Sequence, residues 1–159
     1  MYRKVSDFLQ DWSKSEEGTI KVLEALTDDK LDQAIVEGHS TLGWLGWHLA
    51  SAISYFAGQV GLNVPFNEKH NQVPTKASDI LNTYKKVAEE FKQQVEKNFT
   101  DESMEEKVDD YGRQTPRGIL LRVMIDHQTH HRGQMTVLLR QAGLPVPAVM
   151  GPTKEMQQY

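Results

Sequence analysis

Apolar residues recur about every three to four positions in four long segments of the chain, the period of α-helices that bury one side. The first segment runs roughly from Tyr2 to Leu26, with Val5, Phe8, Leu9, Trp12, Ile20, Leu23 and Leu26 on one face. Polar Ser15, Glu16 and Thr19 break that stripe in the inward-facing register. The second runs roughly from Thr41 to Val60 and is apolar nearly all round, which predicts a central, well-covered helix. Ser40 or Thr41 can cap it, because a hydroxyl accepts from an unpaired first-turn N–H. The third, about Lys76 to Phe99, has the cleanest stripe, from Ala77, Ile80 and Tyr84 through Phe91, Val95 and Phe99. Lys85, Lys86, Glu89, Glu90 and Lys92 on its other side read as a solvated outer face. Thr115-Pro116 signals the start of the fourth, with a capping hydroxyl followed by Pro at the first helical position. That helix runs to about Ala142, where Gly143 supplies a left-handed stop and Pro145 prevents continuation.

The connections predict no strand. Gly61 to Thr75, with Pro65 and Pro74, reads as a loop, and the acidic stretch Thr100 to Gly112 as a loop with one short turn. The tail from Leu144 to Tyr159 reads as irregular chain wrapping the body of the domain or a partner subunit. Four amphipathic segments without strands predict an all-α four-helix bundle, one domain over residues 1–159. The loops are long enough for a crossover in place of simple up-down order.

Composition narrows the possible chemistry. The 159 residues suffice for one domain with a real core, and the formal charge of −4 gives no general attraction to nucleic acid or anionic lipid. There is no Cys, so disulfides, thiolate ligands and a Cys nucleophile are excluded, and any metal must be held by nitrogen and oxygen donors. The N-terminal residues lack the apolar run of a signal peptide, and no stretch approaches the roughly 18 to 20 apolar residues of a membrane span. The expectation is a cytoplasmic protein.

The candidate chemistry is histidine. His127 and His131 are spaced i, i+4 in mid-helix, on or beside the apolar line of Leu120, Met124, Met135, Leu138 and Ala142. Buried imidazoles lose on the order of 1–3 kcal/mol for each unsatisfied group, and a shared divalent cation relieves two of them at once. His48, in the apolar run Trp44-Leu45-Gly46-Trp47-His48-Leu49, can supply a third nitrogen from a facing helix. Three His with an open position make a catalytic type of site rather than a closed structural one. Taken one residue at a time, hydrogen-bonded core histidines remain the alternative. His130 points away from the pair and reads as an outer-sphere or helix-interface residue, and His39 and His70 as surface residues. Asp126 is a candidate to orient an imidazole and Glu16 a candidate fourth ligand or proton acceptor, with a salt-bridged or exposed role the simpler reading for Glu16. Trp44, Trp47 and Tyr84 are candidate pocket walls, with core packing the simpler reading. Gly133 in mid-helix, and Gly43 and Gly46 beside Trp44, predict close approach of another helix.

The segment Gly43-Trp44-Leu45-Gly46-Trp47-His48-Leu49, the run His127-x-x-x-His131-Arg132-Gly133-Gln134 and the trailing Gln141-Ala142-Gly143-Leu144-Pro145-Val146-Pro147 together resemble the DinB/YfiT-like family of helical-bundle metalloenzymes. The resemblance covers essentially the whole chain. It implies that His48, His127 and His131 bind a divalent metal, most often zinc or nickel, in an up-down-down-up bundle that commonly dimerises. It further implies a small-molecule substrate and a thiol-dependent S-transferase activity, as in the bacillithiol transferases and mycothiol-dependent isomerases; the chemistry of a three-His metal site itself also admits a hydrolase. A cation with open positions lowers the pKa of water or of a thiol toward neutrality, whichever of these activities applies. No catalytic base is identified. The competing expectation is a non-catalytic metal-binding or stress-response bundle, and the acidic balance argues against a DNA-binding factor.

Overall fold

The computed structural model describes residues 1–66 and 72–156. Four helices, α1 (Val5–Glu24), α2 (Leu42–Gln59), α3 (Ala77–Asn98) and α4 (Arg117–Gln141), form the body. A hairpin of β1 (Lys107–Asp110) and β2 (Arg113–Pro116) precedes α4, and short 3-10 turns lie at Asp28–Lys30, Glu102–Met104 and Lys154–Met156.

Local chemistry sets most of the helix boundaries. Thr41 caps α2 as expected, its hydroxyl accepting from the Trp44 N–H at 3.1 Å. The start of α3 is capped from a distance: Asp28 accepts from the Ala77 N–H at 2.8 Å and from Lys76 Nζ at 2.9 Å. Gly143, with φ 72°, ends α4, and the N–H of Leu144 turns back to the Leu139 carbonyl at 2.9 Å.

The acidic stretch departs from expectation. Where a loop with one turn was expected, the chain makes the 3-10 turn and then the antiparallel hairpin, with Val108 opposite Thr115. Its two-residue turn is Tyr111-Gly112, both at positive φ (52° and 82°), the geometry that matches the twist of paired strands. The strands carry mostly Lys, Asp, Arg and Gln and bury little, so no apolar alternation announced them. The start of α4 shifts accordingly. Thr115 belongs to β2 and donates to Asp110 at 3.2 Å, Pro116 occupies the cap position, and the helix opens at Arg117.

Pairs of touching residues give the topology. Glu24 meets Lys85 and Trp12 meets Phe91, so α1 and α3 run antiparallel. Thr19 meets Gln128 and Tyr2 meets Gly118, so α1 and α4 run parallel. Leu49 meets Gln128 and Val60 meets Arg117, which sets α2 against α4 antiparallel, the order up-down-down-up. The parallel pair α2 and α3 is joined by a crossover that includes residues 67–71, so His70 lies outside the described residues.

The core fills the space between these helices with Phe8, Trp12, Leu49, Ile53, Tyr84, Phe91 and Leu121, all essentially inaccessible. Gly46 lets α2 approach closely, since a Cβ there would lie 2.9 Å from Leu23 Cδ2 and 3.0 Å from Ile80 Cγ2. Gly43 is also closely packed, but against Leu31 and Val73 of the connecting segments, not against another helix as expected. Gly133 does not: nothing among the described residues lies within 4 Å of where its Cβ would sit. Nor is α2 covered all round, because Trp44 (42% exposed) and Tyr55 (48%) face outward. The tail packs back on the body, with Val146 buried and Val149 and Met150 lining the groove between α1 and α4.

Candidate metal centre

Antiparallel packing of α2 on α4 brings His48 opposite His127 and His131. The Nε2 atoms of His48 and His127 are 3.1 Å apart, and those of His131 and His127 are 3.2 Å apart. One ligand atom from each of the three lies within 4.8 Å of the others, and each ring is half-buried. The i, i+4 spacing on α4 and the mid-helix position on α2 thus converge as the sequence predicts. The segment around His48 is less covered than expected, since the outward Trp44 stacks on the His48 ring at 4.7 Å and 10°.

The electrostatics favour neutral imidazoles. Burial pushes His127 down to about 4, reinforced by His131 and His48. Burial also lowers His48, with a further contribution from His131. His131 is lowered mainly by burial, although its bond to Gln134 opposes this. Neutral imidazole is the ligating form. Without a shared ion the cluster is poorly satisfied: His127 Nε2 faces two other ring nitrogens and has one proton at most to share. Its Nδ1 is buried without a partner among the described residues. Two nitrogens bound at about 2.0–2.1 Å to one ion, 90–110° apart, stand about 2.8–3.4 Å from each other. The separations of 3.1 and 3.2 Å fall in that interval, so these residues fit a divalent cation. Gln134 Oε1 lies 2.8 Å from His131 Nδ1 and fixes that ring, leaving Nε2 for ligation.

The remaining candidates do not join. His130 is exposed and meets the His131 ring edge-on at 4.9 Å, and His39 is exposed. Asp126 does not orient an imidazole; its carboxylate is taken by Arg122 at 2.6 Å. Glu16 is not among the grouped donors, and burial, with Glu89 nearby, raises its pKa. Trp47 packs on Phe66, and Tyr84 is a fully buried core residue, not a pocket wall.

Two buried residues of α4 went unnoticed in the sequence. The inward line of the helix passes through Leu121, Met124, Gln128, Arg132, Met135 and Leu139, while the histidines flank it. Gln128 is fully buried and Arg132 is 4% exposed. Arg132 Nη1 donates to Ser15 O at 3.0 Å, Ser15 Oγ at 2.8 Å and Thr19 Oγ1 at 3.0 Å, and Nη2 donates to Thr129 at 3.0 Å. It pairs with no carboxylate among the described residues. The signal was the polar break at Ser15 and Thr19 in α1, since buried hydroxyls imply polar partners on a facing helix.

An up-down-down-up bundle holding three imidazoles from two helices, with no carboxylate or thiolate among them, defines a class of helical proteins able to bind one divalent cation. The chain belongs to the DinB family, whose model matches residues 1–159. It is 39% identical over 155 residues to the uncharacterized protein YrdA of Bacillus subtilis (strain 168), covering 98% of this chain and 93% of that one. The crystal structure of a DinB-like protein from Bacillus cereus ATCC 10987 superposes with a TM-score of 0.89 at 43% identity, over 93% of this chain and 99% of that chain. A DinB-like protein of Bacillus subtilis, YjoA, shares the fold alone, with a TM-score of 0.72 at 19% identity over 92% and 99% of the two chains. Among the described residues, no helix is long and apolar enough to cross a membrane.

Proposed function

We propose that this protein is a divalent-metal-dependent enzyme, a thiol-dependent S-transferase or a hydrolase, acting on a small molecule in the cytoplasm as a homodimer. The observation that carries the reading is the meeting of three neutral imidazole nitrogens, half-buried at the α2–α4 seam, with no anionic ligand beside them among the described residues. A cation held by neutral donors alone keeps its full positive charge, and when bound it supplies Lewis acidity and brings water or a thiol to its reactive form near neutral pH. Zinc or nickel suits an all-imidazole donor set.

The chain's own residues do the rest. His48, His127 and His131 hold the cation and, being partly exposed, leave a side open to a ligand. Gln134 orients His131, and Trp44 and Phe56 wall the cluster, the latter with its ring 5.4 Å from that of His127. Elemental analysis of untagged protein should find about one zinc or nickel per chain, and His131→Ala should lose it. Conjugation of a low-molecular-weight thiol to an electrophile, or hydrolysis, should disappear when the metal is chelated. Full metal content in His131→Ala would defeat the assignment. Metal without turnover on any thiol–electrophile pair or hydrolysable ester would favour a metal that serves only to fasten α2 to α4.

A further inference from the structure

Gln128 lies in an apolar core, where an amide that loses a partner costs about 1–3 kcal/mol. Its bonds reach three other helices. The Nε2 donates to the main-chain carbonyl of Leu49 on α2 at 3.0 Å. The Oε1 lies 3.2 Å from the Thr19 hydroxyl of α1 and accepts from the Tyr84 hydroxyl of α3 at 3.2 Å. Arg132, one turn along α4, braces the same Thr19. One side chain therefore joins all four helices at a single level.

That level is the level of the histidines. Gln128 directly follows His127, and Leu49 directly follows His48, whose Nε2 is 3.1 Å from that of His127. A helix rises about 1.5 Å per residue, so the amide–carbonyl bond sits within about one residue's rise of the imidazole pair. Leu45, Ile53, Met124 and Leu121, which fill the seam around it, attract without direction and tolerate a small slide of one helix along the other. A hydrogen bond from a fixed amide does not, because it weakens steeply with distance and angle. A slide of about 2 Å, little more than one residue's rise, would part ring nitrogens now 3.1 Å apart to about 3.7 Å, beyond the spacing that one ion can bridge.

We propose that Gln128 is a positioning residue of the metal centre: its amide sets the register of α2 against α4, and through it the spacing of His48 from His127 and His131. It touches neither ion nor substrate and acts through the histidines. The inference rests on the three-histidine reading above.

Gln128→Met keeps the volume and removes the amide, whereas Tyr84→Phe removes one bond to the same Oε1 and leaves the link to Leu49 in place. Both variants and the unaltered protein are titrated with Co2+ against a chromophoric chelator, with visible d–d spectra and melting temperatures recorded alongside. Q128M should bind Co2+ about 10–100-fold more weakly with an altered spectrum, the range seen when the partners of metal-bound histidines are removed. Y84F should stay within about threefold and keep the parent spectrum, although it too is destabilised. Unchanged affinity and spectrum in Q128M overturn the proposal whatever its melting temperature. An equal loss in Y84F also overturns it, because that would be general loosening of the core. If Q128M does not fold, Q128N, whose amide falls one methylene short of Leu49, gives the same two readings. No Co2+ uptake by the unaltered protein would overturn the three-histidine reading itself, a separate result visible before any variant is made.

Discussion

His127 stands between two other imidazoles, and its competitor for a cation is the proton. Burial holds its folded-state pKa at about 4, below the ordinary histidine value of about 6.5, and His48 and His131 shift the same way. In the unfolded chain these rings protonate near 6.5, so between that pH and about 4 the unfolded state binds more protons than the folded one. Stability of the metal-free protein is therefore full above about pH 6.5 and is lost as pH falls toward 4. Urea midpoints of the metal-free protein at pH 7.5 and pH 5 should show the drop, and His127→Gln should flatten it. An equal slope in the variant would mean that other groups carry the pH dependence.

Two glycines give helix packing opposite tests at the scale of the element. Gly46 has Leu23 and Ile80 where a Cβ would go, so Gly46→Ala should destabilise by about 1–3 kcal/mol through overpacking, read as a lower melting temperature. Gly133 has open space there, so in a monomer Gly133→Ala should stabilise by about 0.5–1 kcal/mol through helix propensity. A Gly133→Ala variant that lowers the melting temperature and shifts sedimentation toward a smaller species would instead place a second copy against this part of α4. The helices themselves were legible because their stripes and caps are strong: Thr41 and Gly143 do what their chemistry predicts. The β1–β2 hairpin was not legible, since its strands are mostly charged and polar and none of their residues is buried. The inward line of α4 was read one position off because Gln128 and Arg132 are buried by bonds to Ser15, Thr19, Tyr84 and Leu49, not by hydrophobicity. The three histidines were legible as residues; their convergence depends on antiparallel pairing of α2 and α4, which periodicity alone leaves open.

For the molecule as a whole, an ion bound across the α2–α4 seam acts as a tie between helices that meet only in the folded state. A ligand that binds the native form stabilises it by about 2.7 kcal/mol at a hundredfold excess over its Kd. Removing metal with a chelator should lower the melting temperature by several degrees, and readdition of zinc or nickel should restore it. A melting curve indifferent to both treatments would argue that no ion occupies the seam. The two helices that α2 and α4 pack against, α1 and α3, carry the large aromatic core of Phe8, Trp12, Tyr84 and Phe91, so the fold should survive metal removal.

His48 and His127 are separated by 79 residues of chain. During synthesis the first imidazole emerges long before its partners, and by itself it can hold a metal only weakly. The complete donor set exists only once α2 and α4 are packed together, so selection between competing ions would fall to the finished molecule and its half-open flank, and an ion could be taken up or exchanged after folding without dismantling the bundle.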